Sequence, residues 1–249
     1  MLNFTLSKDW ILNRTVFISY PKSGRTWMRY IFSLVNLNVK FTHAGYGTYE
    51  VKEIGSEFNG VKRSVLGRRN IFMHRNPLDT AVSIYFQIHR TDFVEPRNHY
   101  RQKYEKLEKL RRLPPDDINA FVLHPIWGCE NVCKFNRAWY DFLKKKNNGL
   151  IICYEDLRKN PRYNISRILD YLGARDYAIN DLVHKSSFEN MREIELSGRN
   201  KKLKLHGLRG GDFESLKVRK GKVKGYIDYI DTETIKLVGD IVKKYDFEI

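Results

Sequence analysis

Apolar positions along the chain alternate between two rhythms. "TVFIS" (15–19) is an unbroken run of β-branched and aromatic side chains ending at Tyr20-Pro21, the pattern of a strand buried on both faces. Past a short polar stretch, Trp27, Tyr30, Ile31, Leu34 and Val35 recur at helical spacing from Thr26 onward. "VKFTH" (39–43) reads as a second short strand ending at His43, "NIFMHR" (70–75) as another buried strand, and "GLIICYEDL" (149–157) as a further strong one. Helical segments fall between them. Pro77 suits the first turn of a helix continuing through "LDTAVSIYFQIHR" (78–90). "HYRQKYEKLEKLRRL" (99–113) is charged and helical and is stopped by Pro114-Pro115. "IWGCENVCKFNRAWYDFLKKK" (126–146) is a long amphipathic helix, "NPRYNISRILDYLG" (160–173) a helix between Pro and Gly, and "DTETIKLVGDIVKKY" (231–245) the last. Residues 44–69 show no period. Residues 196–225, rich in Gly, Lys and Arg, are expected to form a mobile basic loop. Strands alternating with helices specify an α/β fold with a mainly parallel sheet, whose ligands bind beyond the carboxyl ends of the strands.

Composition narrows this picture only in part. The length, 249 residues, suits one domain over 1–249, and 42% hydrophobic with 13% aromatic residues is globular. Lys+Arg 45 against Asp+Glu 29 gives +16, which calls for an anionic partner: nucleic acid, a nucleotide, an acidic glycan or a membrane surface. Three cysteines are too few for a disulfide framework. Cys129 and Cys133 lack paired metal-ligand spacing, so all three read as reduced thiols and no metal is expected. Lys8, Asp9 and Arg14 interrupt the first apolar stretch, and no run spans a bilayer, so neither a signal peptide nor a transmembrane segment is expected and the location read is cytoplasmic.

Three segments at strand ends carry the candidate chemistry: 20–27, 43–46 and 75–83. In "SYPKSGRTW", a loop between strand and helix presents backbone N–H groups at the positive end of a helix dipole. Gly24 permits close approach of a ligand, Ser23, Arg25 and Thr26 add donors, Lys22 adds charge, and Trp27 offers a flat face to a base. This is an anion cradle without the Walker A order, because Lys22 precedes the single glycine. "HRNPLDTAVSIYF" places Arg75 at a strand end and Ser83 two turns into the next helix, both within reach of one anion, and "VRKGKVKGY" adds Arg219 and Lys220 before Gly221. Two rival readings exist. A P-loop kinase or NTPase has only Asp156 as a strand-end acid. A basic nucleic-acid-binding protein fits the charge, but no recognised module organises it, so no nucleic-acid partner is expected.

Taken in order, these motifs resemble those of the sulfotransferases that use 3′-phosphoadenosine 5′-phosphosulfate (PAPS). The family carries a 5′-phosphosulfate loop like PKSGTTW, here PKSGRTW with Arg25 for a Thr. Its 3′-phosphate motif, like RNPxDxxVSxYF, is met throughout by RNPLDTAVSIYF. Its YEDLKxNP segment is met by "YEDLRKNPRYNISRILDYLG", its HxTSFxxM loosely by "HKSSFENM", and its RKGxxG in part by "RKGKVKGY". The matches run from residue 16 to about 230, and the chain is similar to short, bacterial-type members. The resemblance implies a P-loop-like three-layer α/β/α fold with a central parallel sheet. It places Lys22, Ser23, Gly24, Arg25 and Thr26 on the 5′-phosphosulfate, and Trp27 on adenine. It places Tyr154, Ser186 and Phe188 around the nucleoside, and Arg75, Ser83, Arg219, Lys220 and Gly221 on the 3′-phosphate. PAPS is then the co-substrate, 3′-phosphoadenosine 5′-phosphate (PAP) the product, and the partner a hydroxyl-bearing acceptor, a carbohydrate or small alcohol among the candidates.

Sulfuryl transfer, like phosphoryl transfer, is an in-line displacement governed by positioning and charge. Lys22 is the group to stabilise the leaving oxygen, with no metal needed. The acceptor hydroxyl needs a base, and His43, following a strand in "FTHAGYG", occupies the place where the family's histidine stands. Ala44 departs from the Asp that often follows in bacterial-type members, which with Arg25 leaves room for an inactive relative that binds PAPS without transfer. Glu50 and Glu53 are the alternative bases, and His74 is expected to be packing.

Overall fold

The computed structural model describes residues 14–45, 63–92, 113–147, 149–174, 177–198 and 211–247, with isolated positions between them. Four strands, β1 (Thr15–Ser19), β2 (Lys40–Thr42), β3 (Arg69–His74) and β4 (Gly149–Cys153), form one sheet of order β2-β1-β3-β4. All three pairings are parallel, with Phe17 opposite Phe41 and Ile71, and Phe72 opposite Ile151. β1 is wholly buried because helices cover both faces of the sheet.

Alternation of side chains divides the core into two layers. Val16, Ile18 and Phe72 point to one face, where they meet the helices α3 (Pro77–Gln87), α4 (Ile118–Leu123), α5 (Cys129–Lys146) and α10 (Thr232–Lys243), through Leu78, Phe121, Phe135, Trp139 and Val238. Phe17, Ile71, Met73 and Ile152 point to the other, against α1 (Arg25–Leu34), α6 (Tyr154–Lys159) and α7 (Pro161–Tyr171), through Met28, Ile31, Phe32, Leu157 and Ile168. This is the expected three-layer α/β/α arrangement. The remaining helices are a single turn, α2 (Arg63–Leu66), and α8 (Ile179–Lys185) and α9 (Phe188–Leu196), which lead into the C-terminal basic segment.

Several boundaries differ from the sequence reading. "GLIICYEDL" is strand only to Cys153; Tyr154 starts α6, where Glu155 and Asp156 fill a first turn that favours acids. The long helix begins at Cys129 rather than Ile126, after Gly128, where a Cβ would lie 2.2 Å from the Val122 carbonyl oxygen. α1 buries Met28, Ile31 and Phe32 instead of the face carrying Trp27, Tyr30 and Leu34, so Trp27 is only half-buried, at the edge of the cleft described below. The helix read over 99–113 lies outside the described residues except at Glu105, Glu108, Lys109 and Leu113, of which the first three are helical. Cys129 and Cys133 are buried free thiols, pushed up by desolvation, Cys133 to about 12. His74 packs between Phe72 and Phe247, at ring distances of 5.9 and 6.2 Å.

Candidate active site

All four strands deliver their carboxyl ends to one edge of the sheet, and a cleft opens there. The loop after β1 starts it. Tyr20 is anchored in the core, its ring 5.2 Å from Phe135, and its carbonyl accepts from Ser23 N–H. Lys22 (φ 67°) and Gly24 (φ 94°) both take left-handed backbone to turn the chain into α1. Gly24 is required twice over, since a Cβ there would lie 2.8 Å from the Tyr154 ring and 3.1 Å from Met73 Sδ. α1 has no side-chain cap and no acid in its first turn, so its opening N–H groups and dipole face the cleft uncompensated.

The loop after β3 supplies Arg75. Its Nη1 donates to the Lys22 carbonyl (3.0 Å), its guanidinium lies 4.6 Å from the Tyr154 ring centre, and Nη2 is 3.9 Å from Asp79 Oδ2. Asn76 caps α3 by accepting from Leu78 and Asp79 N–H, while its own N–H donates to Glu155. That cap fixes the helix carrying Ser83 against the segment carrying Tyr154. Tyr154 meets Trp27 edge-on at 6.0 Å, with the Arg158 guanidinium 5.8 Å from the indole.

The basic segment after α9 closes the far side and is held by a buried carboxylate at each end. Glu195 of α9 accepts from Lys217 and Val218 N–H at 2.9 and 2.7 Å, and Asp79 of α3 accepts from Lys224 and Tyr226 N–H at 2.8 and 3.0 Å. Between these anchors Arg192 donates to the Arg219 carbonyl, and Gly221 (φ 58°) sits where a Cβ would strike the Phe188 ring at 2.2 Å. Arg219 lies over Phe86 and pairs with Glu214 (2.8 Å) and the Tyr229 hydroxyl; Lys220 pairs with Asp228 (2.7 Å).

His43 follows β2 directly. Its Nδ1 lies 2.6 Å from the Ser19 carbonyl, which can only accept, so Nδ1 carries the proton and the basic lone pair is on Nε2. Burial, with Arg25 and then Arg29 nearby, lowers its pKa to about 4, so it is neutral at physiological pH. Burial also brings Arg25 down to about 10, still cationic.

Most residues singled out from the sequence therefore meet at one place. Lys22, Gly24, Arg25, Thr26, Trp27, His43, Arg75, Ser83, Tyr154, Ser186, Phe188, Arg219, Lys220 and Gly221 line the cleft, and Ser23 is buried just behind it. Glu50 and Glu53 lie outside the described residues. Sequence reasoning missed Arg29, Arg158 and the two anchoring carboxylates. Asp79 had a signal, the fixed Asp of RNPLD; Glu195 had none. Among the described residues the lining holds nine lysines and arginines against a single carboxylate, Asp79. Ser23 Oγ, Trp27 Nε1, Arg75 Nε and Ser186 Oγ, all on or beside the cleft, are buried without a protein hydrogen-bond partner. Unmet donors amid surplus cations are what a nucleotide with two separate anionic groups would satisfy.

Comparison with known proteins agrees. The chain is 23% identical over 214 residues to Sulfotransferase 2A1 of Macaca fascicularis, which covers 73% of this chain and 67% of that protein. It is 28% identical to the 3-alpha-hydroxysteroid sulfotransferase of Cavia porcellus, covering 74% and 67%. The chain thus spans about two thirds of the length of these relatives. Its fold is similar to that of a mouse sulfotransferase crystallised with PAP, with a TM-score of 0.61 and 19% identity over 93% of this chain and 83% of that one. Residues 65–245 match the Sulfotransferase domain family, and the chain belongs to that family of sulfuryl-transferring enzymes.

Proposed function

We propose that the chain transfers the sulfuryl group of PAPS to an acceptor hydroxyl, with His43 as general base and Lys22 at the leaving oxygen. The observation that carries this reading is His43 itself, held by the Ser19 carbonyl as the Nδ1–H tautomer on the same cleft as the loop 22–26. Loop N–H groups, Ser23, Arg25 and Thr26 hold the 5′-phosphosulfate; Trp27 with Tyr154, Ser186 and Phe188 encloses the nucleoside. Arg75, Ser83 and the segment around Gly221 take the 3′-phosphate, with Arg219 and Lys220 exchanging Glu214 and Asp228 for it.

His43 Nε2 accepts the hydroxyl proton as the acceptor oxygen bonds to sulfur. The bond from sulfur to the 5′-phosphate oxygen breaks, and PAP departs with that electron pair, its new charge met by Lys22 and the first turn of α1. The anionic donor also offsets Arg25, which raises His43 toward the range in which a base is useful. The acceptor is a small alcohol or a glycan hydroxyl.

Thermal unfolding with PAP, and separately with ATP and magnesium, tests the nucleotide site. A ligand at about 100 times its Kd adds roughly 2.7 kcal/mol, and stabilisation should come from PAP alone. His43→Ala should retain that shift and lose turnover of labelled PAPS by about 100-fold or more. Stabilisation by ATP-magnesium alone would overturn the nucleotide assignment, and a wild-type rate in the variant would overturn the base.

A further inference from the structure

Four of the nine cations lining the cleft have a protein carboxylate beside them: Arg75 has Asp79, Arg219 has Glu214, and Lys220 and Lys222 share Asp228. Arg25 and Arg29, on the side of His43, have none: among the described residues no carboxylate contributes to the electrostatics of either. They stand four residues apart on α1, so their side chains leave the same helix face, about one turn apart. Arg25 opens the helix beside the anion cradle. Arg29 lies a turn further along, its guanidinium 5.0 Å from the centre of the Phe41 ring in β2, two residues before His43. Both line the cleft with His43, and both are lowered by burial, so this is a partly desolvated pair of like charges with no carboxylate among the described residues to balance it. Such a pair is unfavourable unless a ligand supplies the counter-charge. The 5′-phosphosulfate answers for Arg25. Arg29 stands one helical turn further along α1 than the cradle, against Phe41.

We propose that Arg29 binds an anionic group on the acceptor, so that the acceptors are hydroxyl compounds carrying a carboxylate or sulfate close to the hydroxyl that is sulfated. This rests on the sulfuryl-transfer reading above. The Arg29 guanidinium is held 5.0 Å from the Phe41 ring centre on the cleft lining, and a guanidinium is the side chain suited to a bidentate carboxylate or sulfate contact.

Two acceptor pairs that differ in one anionic group test it: p-nitrophenyl glucuronide with p-nitrophenyl glucoside, and p-hydroxybenzoate with p-hydroxybenzamide. Labelled PAPS reports turnover. In the wild type the anionic member of at least one pair should lead by about tenfold or more in kcat/KM. Arg29→Gln should bring that ratio to within about threefold of unity, with the larger KM change on the acceptor rather than on PAPS, and Arg29→Lys should keep part of the preference. A wild-type preference for the neutral members, an unchanged ratio in Arg29→Gln, or a KM increase confined to PAPS would overturn the proposal. If neither pair is turned over, both are titrated into the enzyme–PAP complex by calorimetry. Tighter binding of the anionic member, lost in Arg29→Gln, upholds it; equal or no binding overturns it. Failure of PAP itself to bind would instead strike the sulfuryl-transfer reading, and this inference with it.

Discussion

Asp79→Ala isolates the tie between the two halves of the nucleotide site. The carboxylate is 3% exposed and accepts two backbone N–H groups from a segment 145 and 147 residues further along the chain. The two bonds are not equivalent. Tyr226 is buried, so its N–H has no ready substitute, and stranding it costs about 1–3 kcal/mol. Lys224 is exposed, so its N–H regains water and that loss is closer to 0.5–1 kcal/mol. Against these stands relief from burying a carboxylate: desolvation is the largest influence on Asp79 and raises its pKa despite Arg75 and both N–H groups. The net expectation is roughly 1–3 kcal/mol of lost stability, a substantial share of the 5–15 kcal/mol of an ordinary domain. Lys224, with φ 57°, also loses the contact that holds its left-handed backbone in place. Urea unfolding gives the stability change, and PAP titration well below the transition gives the functional one, expected as about a tenfold weaker Kd. Asp79→Asn, which keeps one acceptor oxygen, should fall between. A change below about 0.5 kcal/mol, or an unaltered Kd in folded Asp79→Ala, would refute the reasoning.

Three further outcomes are expected. Glu195→Ala should release the other end of the same segment, speeding hydrogen exchange at the Lys217 and Val218 amides by about tenfold or more; unchanged protection would show that Glu195 does not hold them. Gly221→Ala should weaken PAP binding by about tenfold, because the added methyl meets the Phe188 ring at 2.2 Å in a backbone that already disfavours a side chain; an unaffected Kd would remove Phe188 and Gly221 from the nucleotide wall. His43 gives the protein a pH dependence of calculable sign. With a folded pKa of about 4 below an unfolded value near 6.5, the unfolded chain binds more protons between those limits, so stability rises with pH across that window. The full effect approaches roughly 3 kcal/mol, and His43→Gln should flatten the wild-type curve between pH 4 and 7; parallel curves would contradict a buried neutral imidazole.

What the sequence disclosed follows from how local each determinant is. β1 and β3 were legible because strands covered on both faces are apolar through their centres; the run 15–19 set the limits of β1, while β3 begins and ends one residue earlier than the run 70–75. The end of β4 was not, since Tyr154 is apolar enough to extend a strand pattern while Glu155 and Asp156 favour a helix start. α8 and α9 are short, with few buried apolar positions, and left little period to detect. Most of the site was legible for another reason: loop 22–27, Arg75 to Ser83 and Arg219 to Gly221 are contiguous motifs whose order alone carries information. Glu195 and Arg29 act through partners far away in sequence or across the sheet edge, and nothing in their own neighbourhoods marks them.

The division of labour around the cleft has an evolutionary consequence. The wall proposed for the nucleotide is assembled from α3, α6, α9 and a segment pinned by Asp79 and Glu195, so its parts are mutually constrained, and a change in one disturbs the others. The opposite wall consists of one helix face and the end of a three-residue edge strand, with the bond from His43 to Ser19 tying the imidazole to β1. On the proposed assignments, substitutions at positions such as 29 alter which alcohols are accepted without dismantling donor recognition. A lineage built on this scaffold is free to diversify its acceptors while its donor stays fixed.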